Sequence, residues 1–269
     1  MDIYLDCKQS AQKYEEVWHY TTIEALEKIV ANQSFRLSRL DLVNDKYENE
    51  RLDDILKNQL YVLCFTHDCE ESQMFWEDYA QKEKGVLLKF ENKYFTENIE
   101  IYGDEQCKNR LSKYIKSNTE HKTNNTYNDW TIRNIDYLDI YYDDNEYIKE
   151  DQELKEFFKD ATMLNGENFK YKTACGVLKS KSWEQEKETR YRVKVQYKGT
   201  SLDIKNREYI KPKFNYLYMH INDEIFRTMK VVLNPWSDDD FQRKVKEILS
   251  SNLVTKHCTI ERSKLHINL

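Results

Sequence analysis

Residues 186–197 read EKETRYRVKVQY, and this stretch decides the fold class. From Tyr191 onward its apolar residues stand at every second position, which predicts a strand with one buried face. The same alternation carried back along the chain places Glu186, Glu188 and Arg190 together on the opposite face.

The pair Glu186-x-Glu188 puts two carboxylates about 7 Å apart on one side of a strand, with a guanidinium next along. Such a pair can orient a ribose hydroxyl or stabilise a developing oxocarbenium cation. Spacing alone more often indicates a solvated face whose charges neutralise each other, or a strand edge kept soluble by charge. Both interpretations stay open at this point.

Outward from this strand, apolar runs at residues 61–65 and 85–90 predict buried strands, and residues 17–20 predict a short one. A helix follows, with Thr21 and Glu24 read as its capping box. Strands and helices alternate irregularly, so we predict an α+β fold in a single domain over 1–269. Residues 104–170 are predicted as a helical or loop-rich insertion, with helices over 104–118 and 150–163 and a strand over 135–142.

The low glycine content limits the ways in which the protein could bind a nucleotide. Among 269 residues there are five glycines and two prolines, where average usage would give about nineteen and thirteen. Neither G-x-G-x-x-G nor G-x-x-x-x-G-K-[ST] occurs. A nucleotide, if bound, must be held without a glycine loop.

The charge and the termini favour a soluble cytoplasmic protein. Lys and Arg number 42 against 48 Asp and Glu, giving a net charge of -6, so no overall basic field draws the chain to nucleic acid. No stretch of about 18 apolar residues predicts a membrane span, and the first ten residues do not resemble a signal peptide. The six cysteines are expected to be reduced thiols.

Three further groups are weak candidates. His19 ends the first strand just before a helix N-terminus, where it can meet a ligand hydroxyl or can simply be satisfied by backbone. Trp76 and Tyr79 share a helix face and can stack on a planar ring, although such pairs more often belong to the core. The spacing of Cys64-x-x-His67-x-Cys69 fits no standard zinc site, so no metal is predicted.

Taken in order, these pieces form a pattern over residues 17–267. It consists of His19-Tyr20-Thr21, Asn44-Asp45 with Glu48, Trp76-x-x-Tyr79 before Gly85-Val86, Lys181 with Trp183-x-x-Glu186-x-Glu188-x-Arg190, and Val231-Val232-Leu233.

The pattern resembles a bacterial and phage family of uncharacterised stand-alone domains. Its arrangement in turn is similar to ADP-ribosyltransferase toxins of the His–Tyr–Glu type. That resemblance implies a split, strongly bent, mixed or antiparallel sheet with flanking helices, and NAD bound as a substrate. It also implies a histidine on the adenosine ribose, an aromatic ring on nicotinamide and a glutamate on the nicotinamide ribose.

Carried over by position, the resemblance assigns catalytic roles to Glu188, Glu186 and His19. Glu188 would stabilise the transition state and Glu186 would orient the acceptor or water. Tyr79 is the expected nicotinamide platform, with Trp76 and Tyr61 as rivals. The implied NAD-binding residues are His19, Tyr20, Thr21, Arg36, Asn44, Trp76, Tyr79 and Arg190.

The expected function is that of an NAD-dependent ADP-ribosyltransferase, a bacterial toxin or antiviral effector acting on RNA or DNA bases. Single-stranded nucleic acid is the expected acceptor and an antitoxin or inhibitor protein the expected partner. Three alternatives remain: an NAD glycohydrolase with the same site, a non-catalytic interaction module, and a metal-dependent nuclease using Glu186 and Glu188.

Overall fold

The computed structural model describes residues 3–43, 54–67, 70–96, 99–103, 114–116, 121–123, 130–144, 176–197, 212 and 214–265. The helices of these residues are α1 (Ile3–Ser10), α2 (Ile23–Asn32), α3 (Asp54–Gln59), α4 (Gln73–Asp78), α5 (Asp223–Thr228) and α6 (Asp239–Ser250). The strands are β1 (Glu16–Thr22), β2 (Phe35–Arg39), β3 (Leu60–His67), β4 (Gly85–Glu91), β5 (Ile99–Gly103), β6 (Tyr114–Lys116), β7 (His121–Thr123), β8 (Trp130–Asp139), β9 (Tyr141–Tyr142), β10 (Leu178–Lys179), β11 (Glu188–Tyr197), β12 (Tyr216–His220), β13 (Lys230–Leu233) and β14 (Thr259–Arg262). Short 3-10 helices cover Leu40–Leu42, Lys82–Lys84, Asn92–Thr96 and Lys181–Glu186.

The fold is α+β, with a mostly antiparallel open sheet and several helices. Strand β3 is the branch point of the main sheet. One of its edges pairs with β11, which pairs in turn with β8. The other edge carries β1 at Thr66 and His67 and β2 at Tyr61 and Val62. From β1 the sheet continues through β4 and β13 to β14, and from β2 it continues through β12, β5 and β6 to β7.

This arrangement opens a split in the sheet. Within β3, residues 63–65 lie between the part paired with β1 and the part paired with β2, and they pair with neither. The two arms therefore leave β3 separately. The split is the feature of the fold that positions the candidate site described below.

The main core is aromatic and lies on one face of the sheet. Phe65 meets Phe95 at 4.8 Å between ring centroids, and Phe35 meets Phe90 at 5.4 Å, both nearly perpendicular. Perpendicular contacts of this kind add to the free energy already gained from burying the rings. The same cluster contains the alternating residues Tyr191, Val193 and Val195, which confirms the strand predicted from residues 186–197 over its range from Glu188 onward.

Helix α2 closes the core against β1. It buries one apolar face, as its spacing predicts, and ends at Asn32, where Gln33 takes the left-handed conformation (φ 47°). The predicted capping residue is wrong by one position. The cap is Thr22, whose hydroxyl accepts from the Ala25 amide at 3.3 Å; Thr21 still belongs to β1 because the β1–β4 ladder extends that far. The four buried residues of α2 are Ile23, Leu26, Ile29 and Val30.

The helix predicted over 104–118 is wrong at its described end. Residues 114–116 form β6, which pairs with β5, because an available sheet edge outweighs a short apolar spacing that suits either structure. Other described parts of the range 104–170 are also strands, and β8 is a full partner of β11. The boundaries of the predicted insertion, and the helix predicted over 150–163, lie outside the described residues.

No helix of the described residues is both long enough and apolar enough to cross a membrane.

Candidate functional site

A cleft of about 650 Å³ opens at the split in the sheet. Residues of β1, α2, β2, β3, β10 and β11 line it together with the 3-10 helix that precedes β11. Eight of the residues predicted for the site line this cleft, although they come from four distant parts of the sequence. They are His19, Tyr20, Thr21, Arg36, Tyr79, Glu186, Glu188 and Arg190.

His19 fills the split itself. Its Nδ1 lies 2.9 Å from the carbonyl oxygen of Cys64, one of the β3 residues that pairs with neither arm. Because a carbonyl only accepts, Nδ1 carries the proton and donates it, which leaves Nε2 as an acceptor in the neutral ring. Burial against Phe35 and Phe65 lowers the pKa of His19 below its ordinary value of 6.5, so the neutral form prevails at pH 7.

Four charged side chains form one wall of the cleft, and we call Lys179, Glu186, Glu188 and Arg190 the charged cluster. All four are at least 94% buried. Arg190 donates two hydrogen bonds to the Glu188 carboxylate, from Nε at 2.5 Å and from Nη2 at 2.9 Å. Lys179 Nζ bridges both carboxylates, 2.8 Å from Glu186 and 2.7 Å from Glu188. The two negative and two positive charges balance, which is the condition for keeping buried ions.

The backbone around the cluster differs from the predicted strand. Glu186 ends the 3-10 helix Lys181–Glu186, and Lys187 turns the chain through a left-handed conformation (φ 41°) before β11 begins. The hydroxyl of Thr66 on β3 donates to the Glu186 carbonyl at 2.6 Å and holds this turn in place. The prediction that strand alternation aligns Glu186 with Glu188 is therefore wrong, yet the turn brings both carboxylates to one ammonium.

The alternative of a solvated face or an exposed strand edge is also wrong for these residues. Strand β11 is interior, paired on both edges, and Glu186 and Glu188 expose 5% and 4% of their surface. Arg190 additionally donates from Nη1 to the carbonyl of Gly176 at 3.1 Å. Gly176 has a φ of +72°, which L-residues rarely adopt, so a glycine suits this contact.

Glu188 is ionised in this setting. Burial by itself would raise its pKa, but the charges of Arg190 and Lys179 and the hydrogen bonds it accepts outweigh burial and hold the pKa of Glu188 well below its ordinary value of 4.5. Its amide also donates to the hydroxyl of Tyr142 at 2.9 Å. Burial, followed by the nearby Glu188 charge, raises the pKa of the Cys64 thiol well above its ordinary value.

Tyr79 stands at the mouth of the cleft, 40% exposed, and its hydroxyl donates to Glu186. Burial and the carboxylate of Glu186 raise the pKa of Tyr79, so the hydroxyl stays protonated as a donor. Its ring leans on Phe75 at 5.5 Å and leaves one side toward the cleft.

The structure separates two of the predicted aromatic residues from the cleft. Trp76 is fully buried in a small core, edge-on to the Tyr20 ring at 5.1 Å. Tyr61 is also fully buried, and its hydroxyl donates to the Phe214 carbonyl at 2.8 Å. Tyr20 lines the cleft, but its ring is stacked on Phe75 at 5.1 Å and belongs to the core.

Asn44, the remaining predicted residue, lies outside the described residues, as do Asp45 and Glu48. Arg36 is exposed on β2, and its guanidinium lies 4.5 Å over the ring of Tyr216. Among the described residues, no group of three or more His, Cys, Asp or Glu side chains is arranged to hold a metal ion.

Sequence reasoning missed Lys179 and included Trp183 in the pattern without a role at the site, although both residues line the cleft. Lys179 follows the apolar residues Val177 and Leu178, whereas Lys181 stands between two serines, and Lys181 was the one included in the pattern. Lys181 is exposed, whereas the parallel pairing of β10 with β9 brings Lys179 beside the carboxylates. The apolar residues before Lys179 do not predict this position, because the pairing joins segments that are separated in the chain.

Comparison with known proteins gives one family match. Residues 75–191 match the model of a family described as a protein of unknown function, DUF2971. Neither the curated proteins nor the solved structures contain a significant match to the chain. The matched segment includes Tyr79 and the whole charged cluster, while His19 and Arg36 precede it. Over that segment the chain is similar to an uncharacterised domain family, in agreement with that part of the predicted resemblance.

Proposed function

We propose that this protein is an NAD-dependent ADP-ribosyltransferase whose reaction centre is the charged cluster. The observation that carries the proposal is an ionised, buried Glu188 at the wall of a cleft, with a neutral histidine in the same cleft. Burying a carboxylate is costly unless it is paired. An anion kept ionised at a ligand-sized opening is suited to stabilising positive charge in a bound molecule.

NAD would span the cleft between His19 and Glu188. Nε2 of His19 would accept a hydrogen bond from a hydroxyl of the adenosine ribose, since Nδ1 is already committed to Cys64. Tyr79 would stack on nicotinamide from the cleft mouth. Trp183, with Lys179 Nζ 5.7 Å from its ring, lines the same end and is a second candidate platform.

The reaction would break the bond between C1′ of the ribose and the nicotinamide nitrogen. Nicotinamide leaves with the bonding electrons as a neutral molecule, and the ribose becomes an oxocarbenium-like cation opposite Glu188. A nucleophile of the acceptor then bonds to C1′ and loses its proton. Glu186 lies beside Glu188 on the same ammonium and would orient that nucleophile and take the proton.

The acceptor is proposed to be a base of single-stranded RNA or DNA, in a cytoplasmic toxin or antiviral effector restrained by an antitoxin protein. With a net charge of -6, tight non-specific binding of duplexes is disfavoured. Stacking of unpaired bases on aromatic side chains does not need a strongly basic surface. If water replaces the acceptor at Glu186, the same site is an NAD glycohydrolase.

The test follows labelled NAD with RNA, DNA and protein acceptors for the wild-type protein and for Glu188→Gln. Label on an acceptor that disappears in Glu188→Gln supports the transferase, and nicotinamide release without labelling supports the glycohydrolase. Glu184→Gln is the matched control, because Glu184 is exposed on the same 3-10 helix. Absence of turnover with every acceptor in the folded wild type contradicts both activities.

His19 allows a sharper test of the proposed ligand contact. In His19→Asn the amide can still donate to the Cys64 carbonyl, but nothing occupies the place of Nε2. In His19→Gln the amide reaches the place of Nε2. Turnover is therefore expected to fall in His19→Asn, with thermal stability kept, and to be partly recovered in His19→Gln. Equal activity in both variants would contradict a role for Nε2.

A further inference from the structure

The end of the cleft away from Glu188 carries an ordered row of side chains. On β2 and β12, Arg36 faces Tyr218 directly, and on β5 Tyr102 faces the other side of Tyr218. Directly opposed residues share one face of a sheet, so the three side chains form a row across three strands. Neighbouring Leu37 and Met219 are fully buried, which shows that the opposite face is the one that meets the core.

The Tyr218 ring is held as a platform. It is stacked with Tyr102 at 5.9 Å between centroids and 18° between planes. Tyr218 lines the cleft and is half-buried, so the ring is supported from β5 and borders the opening toward β2. An aromatic ring fixed in this way loses little freedom when a second planar ring stacks on it.

A second, independent observation at the same place is a buried hydroxyl. Ser34 immediately precedes β2 and is only 3% exposed. Ser34 lines the cleft, and its Oγ has no hydrogen-bond partner among the described residues. Buried hydroxyls normally have a partner, because the loss of water is otherwise uncompensated. Ser34 therefore points to a polar ligand atom at this position.

The surroundings are cationic and at a suitable distance from the reaction centre. Arg36 on β2 and Lys28 on α2 both line this end of the cleft. Glu188 is on β11 and Tyr218 is on β12, with β3 and β2 between them in the sheet. Three spacings between neighbouring strands correspond to roughly 14 Å. A ligand made of two linked chemical groups could therefore place one group near Tyr218 and the other near Glu188.

We propose that Tyr218, Ser34 and Arg36 form a nucleobase subsite. A base would stack on Tyr218 with a polar edge toward Ser34, and Arg36 would pair with the phosphate attached to the same nucleoside. The inference rests on the proposed function in that it concerns the same cleft and the same ligand chemistry. Two molecules could supply this base: NAD, through its adenine, or the acceptor strand, through one of its bases.

The experiment measures binding without turnover. The probes are AMP, NAD, nicotinamide mononucleotide and a labelled single-stranded RNA of about twelve residues, followed by saturation-transfer NMR and fluorescence anisotropy on the full chain. Tyr218→Leu removes the ring but keeps an apolar side chain. Tyr94→Leu is the matched control, because Tyr94 is half-buried like Tyr218 but does not line the cleft.

Tyr218→Leu is expected to weaken binding about tenfold, as loss of one stacked base does. Weaker AMP and NAD binding with nicotinamide mononucleotide unaffected identifies adenine as the base. Weaker RNA binding with NAD unaffected identifies the acceptor base. Either of these two results supports the nucleobase subsite. Binding equal to that of Tyr94→Leu for every probe, or no binding of AMP, NAD or RNA by the wild type, overturns it.

Ser34→Ala keeps the inference testable if Tyr218→Leu does not fold. It removes a hydroxyl without a partner among the described residues, so folding should be unchanged while AMP or RNA binding weakens several-fold. Unchanged binding in Ser34→Ala would contradict the proposed contact. Glu188→Gln separates this inference from the proposed function, because it should abolish turnover and leave binding of AMP intact.

Discussion

Two buried arginines on β11 hold carboxylates in different ways. Arg192 pairs with Asp136 directly across the β11–β8 ladder, with Nη2 at 2.8 Å, and neither residue lines the cleft. Arg190 pairs with Glu188 on its own strand, and both line the cleft. The first pair joins two strands. The second pair joins two residues of the same strand, whose relative positions the backbone already fixes. It therefore does not set the register between strands.

This difference separates a pair that joins two strands from a pair that lines the cleft. Buried ion pairs contribute little to stability by themselves, because desolvation offsets the attraction. Arg192 and Asp136 pair across two neighbouring strands. The charged cluster brings two carboxylates to one ammonium beside an opening, which is the kind of environment found where charged groups act on a substrate.

The largest effect is expected for Asp136→Asn, which breaks the pair between strands. Loss of the Asp136 carboxylate beside the buried guanidinium of Arg192 should reduce the free energy of unfolding by about 3–5 kcal/mol. Urea unfolding measures this, with NAD turnover corrected for the folded fraction as the second readout. Turnover per folded molecule should be unchanged. A tenfold loss of turnover per folded molecule with little change in stability would instead assign the Arg192–Asp136 pair to the reaction and not to the fold.

The second prediction concerns the pH dependence given by Glu188. The pKa of Glu188 is lower in the folded than in the unfolded chain. Its contribution to stability is therefore fully present above the unfolded value of 4.5 and is lost as pH falls from there through the folded value. Urea unfolding between about pH 6 and pH 3 should show a shallower loss in Glu188→Gln than in the wild type. Glu184→Gln should follow the wild type; equal slopes in all three proteins would contradict a lowered pKa.

The third prediction tests the bridging ammonium. Lys179→Met leaves the two carboxylates facing each other without their shared cation, so the pKa of Glu188 should rise. In a plot of kcat/KM for NAD against pH, the midpoint of the fall on the acidic side should then move by roughly one pH unit toward higher pH. Lys181→Met, which changes an exposed lysine two residues away, is the control. A lower rate with an unmoved pH profile would assign Lys179 to the fold alone.

The smallest effect is expected for Tyr142→Phe. This substitution removes the acceptor of the Glu188 amide and should cost about 1 kcal/mol of unfolding free energy. Tyr141→Phe, at the neighbouring half-buried residue, is the matched control for urea unfolding. A loss as large as that of Asp136→Asn would mean that the Glu188 region supports the fold as much as the Arg192 pair does.

Much of the fold follows from periodicity, and part of the site does. Alternation at Tyr191 and Val193 correctly predicts β11, and helical spacing correctly predicts α2. The same reasoning fails where two structures suit one pattern, as at residues 114–116. It also placed Trp76 at the site, because a helix face does not reveal whether it meets a cleft or a core.

Local sequence determined which side chains carry charge and which strand presents them: Glu188 and Arg190 share a face of β11 because strand side chains alternate. Only the tertiary structure decided that this face is buried, that Glu186 reaches it through a left-handed turn, and that Lys179 rather than Lys181 bridges the carboxylates. It also decided that the two arms part at β3 and leave the Cys64 carbonyl to His19. The physical reason is that alternation acts over neighbouring residues, whereas burial and ion pairing depend on strands separated by tens of residues of chain, as β9 and β10 are, or by more than a hundred, as β3 and β11 are.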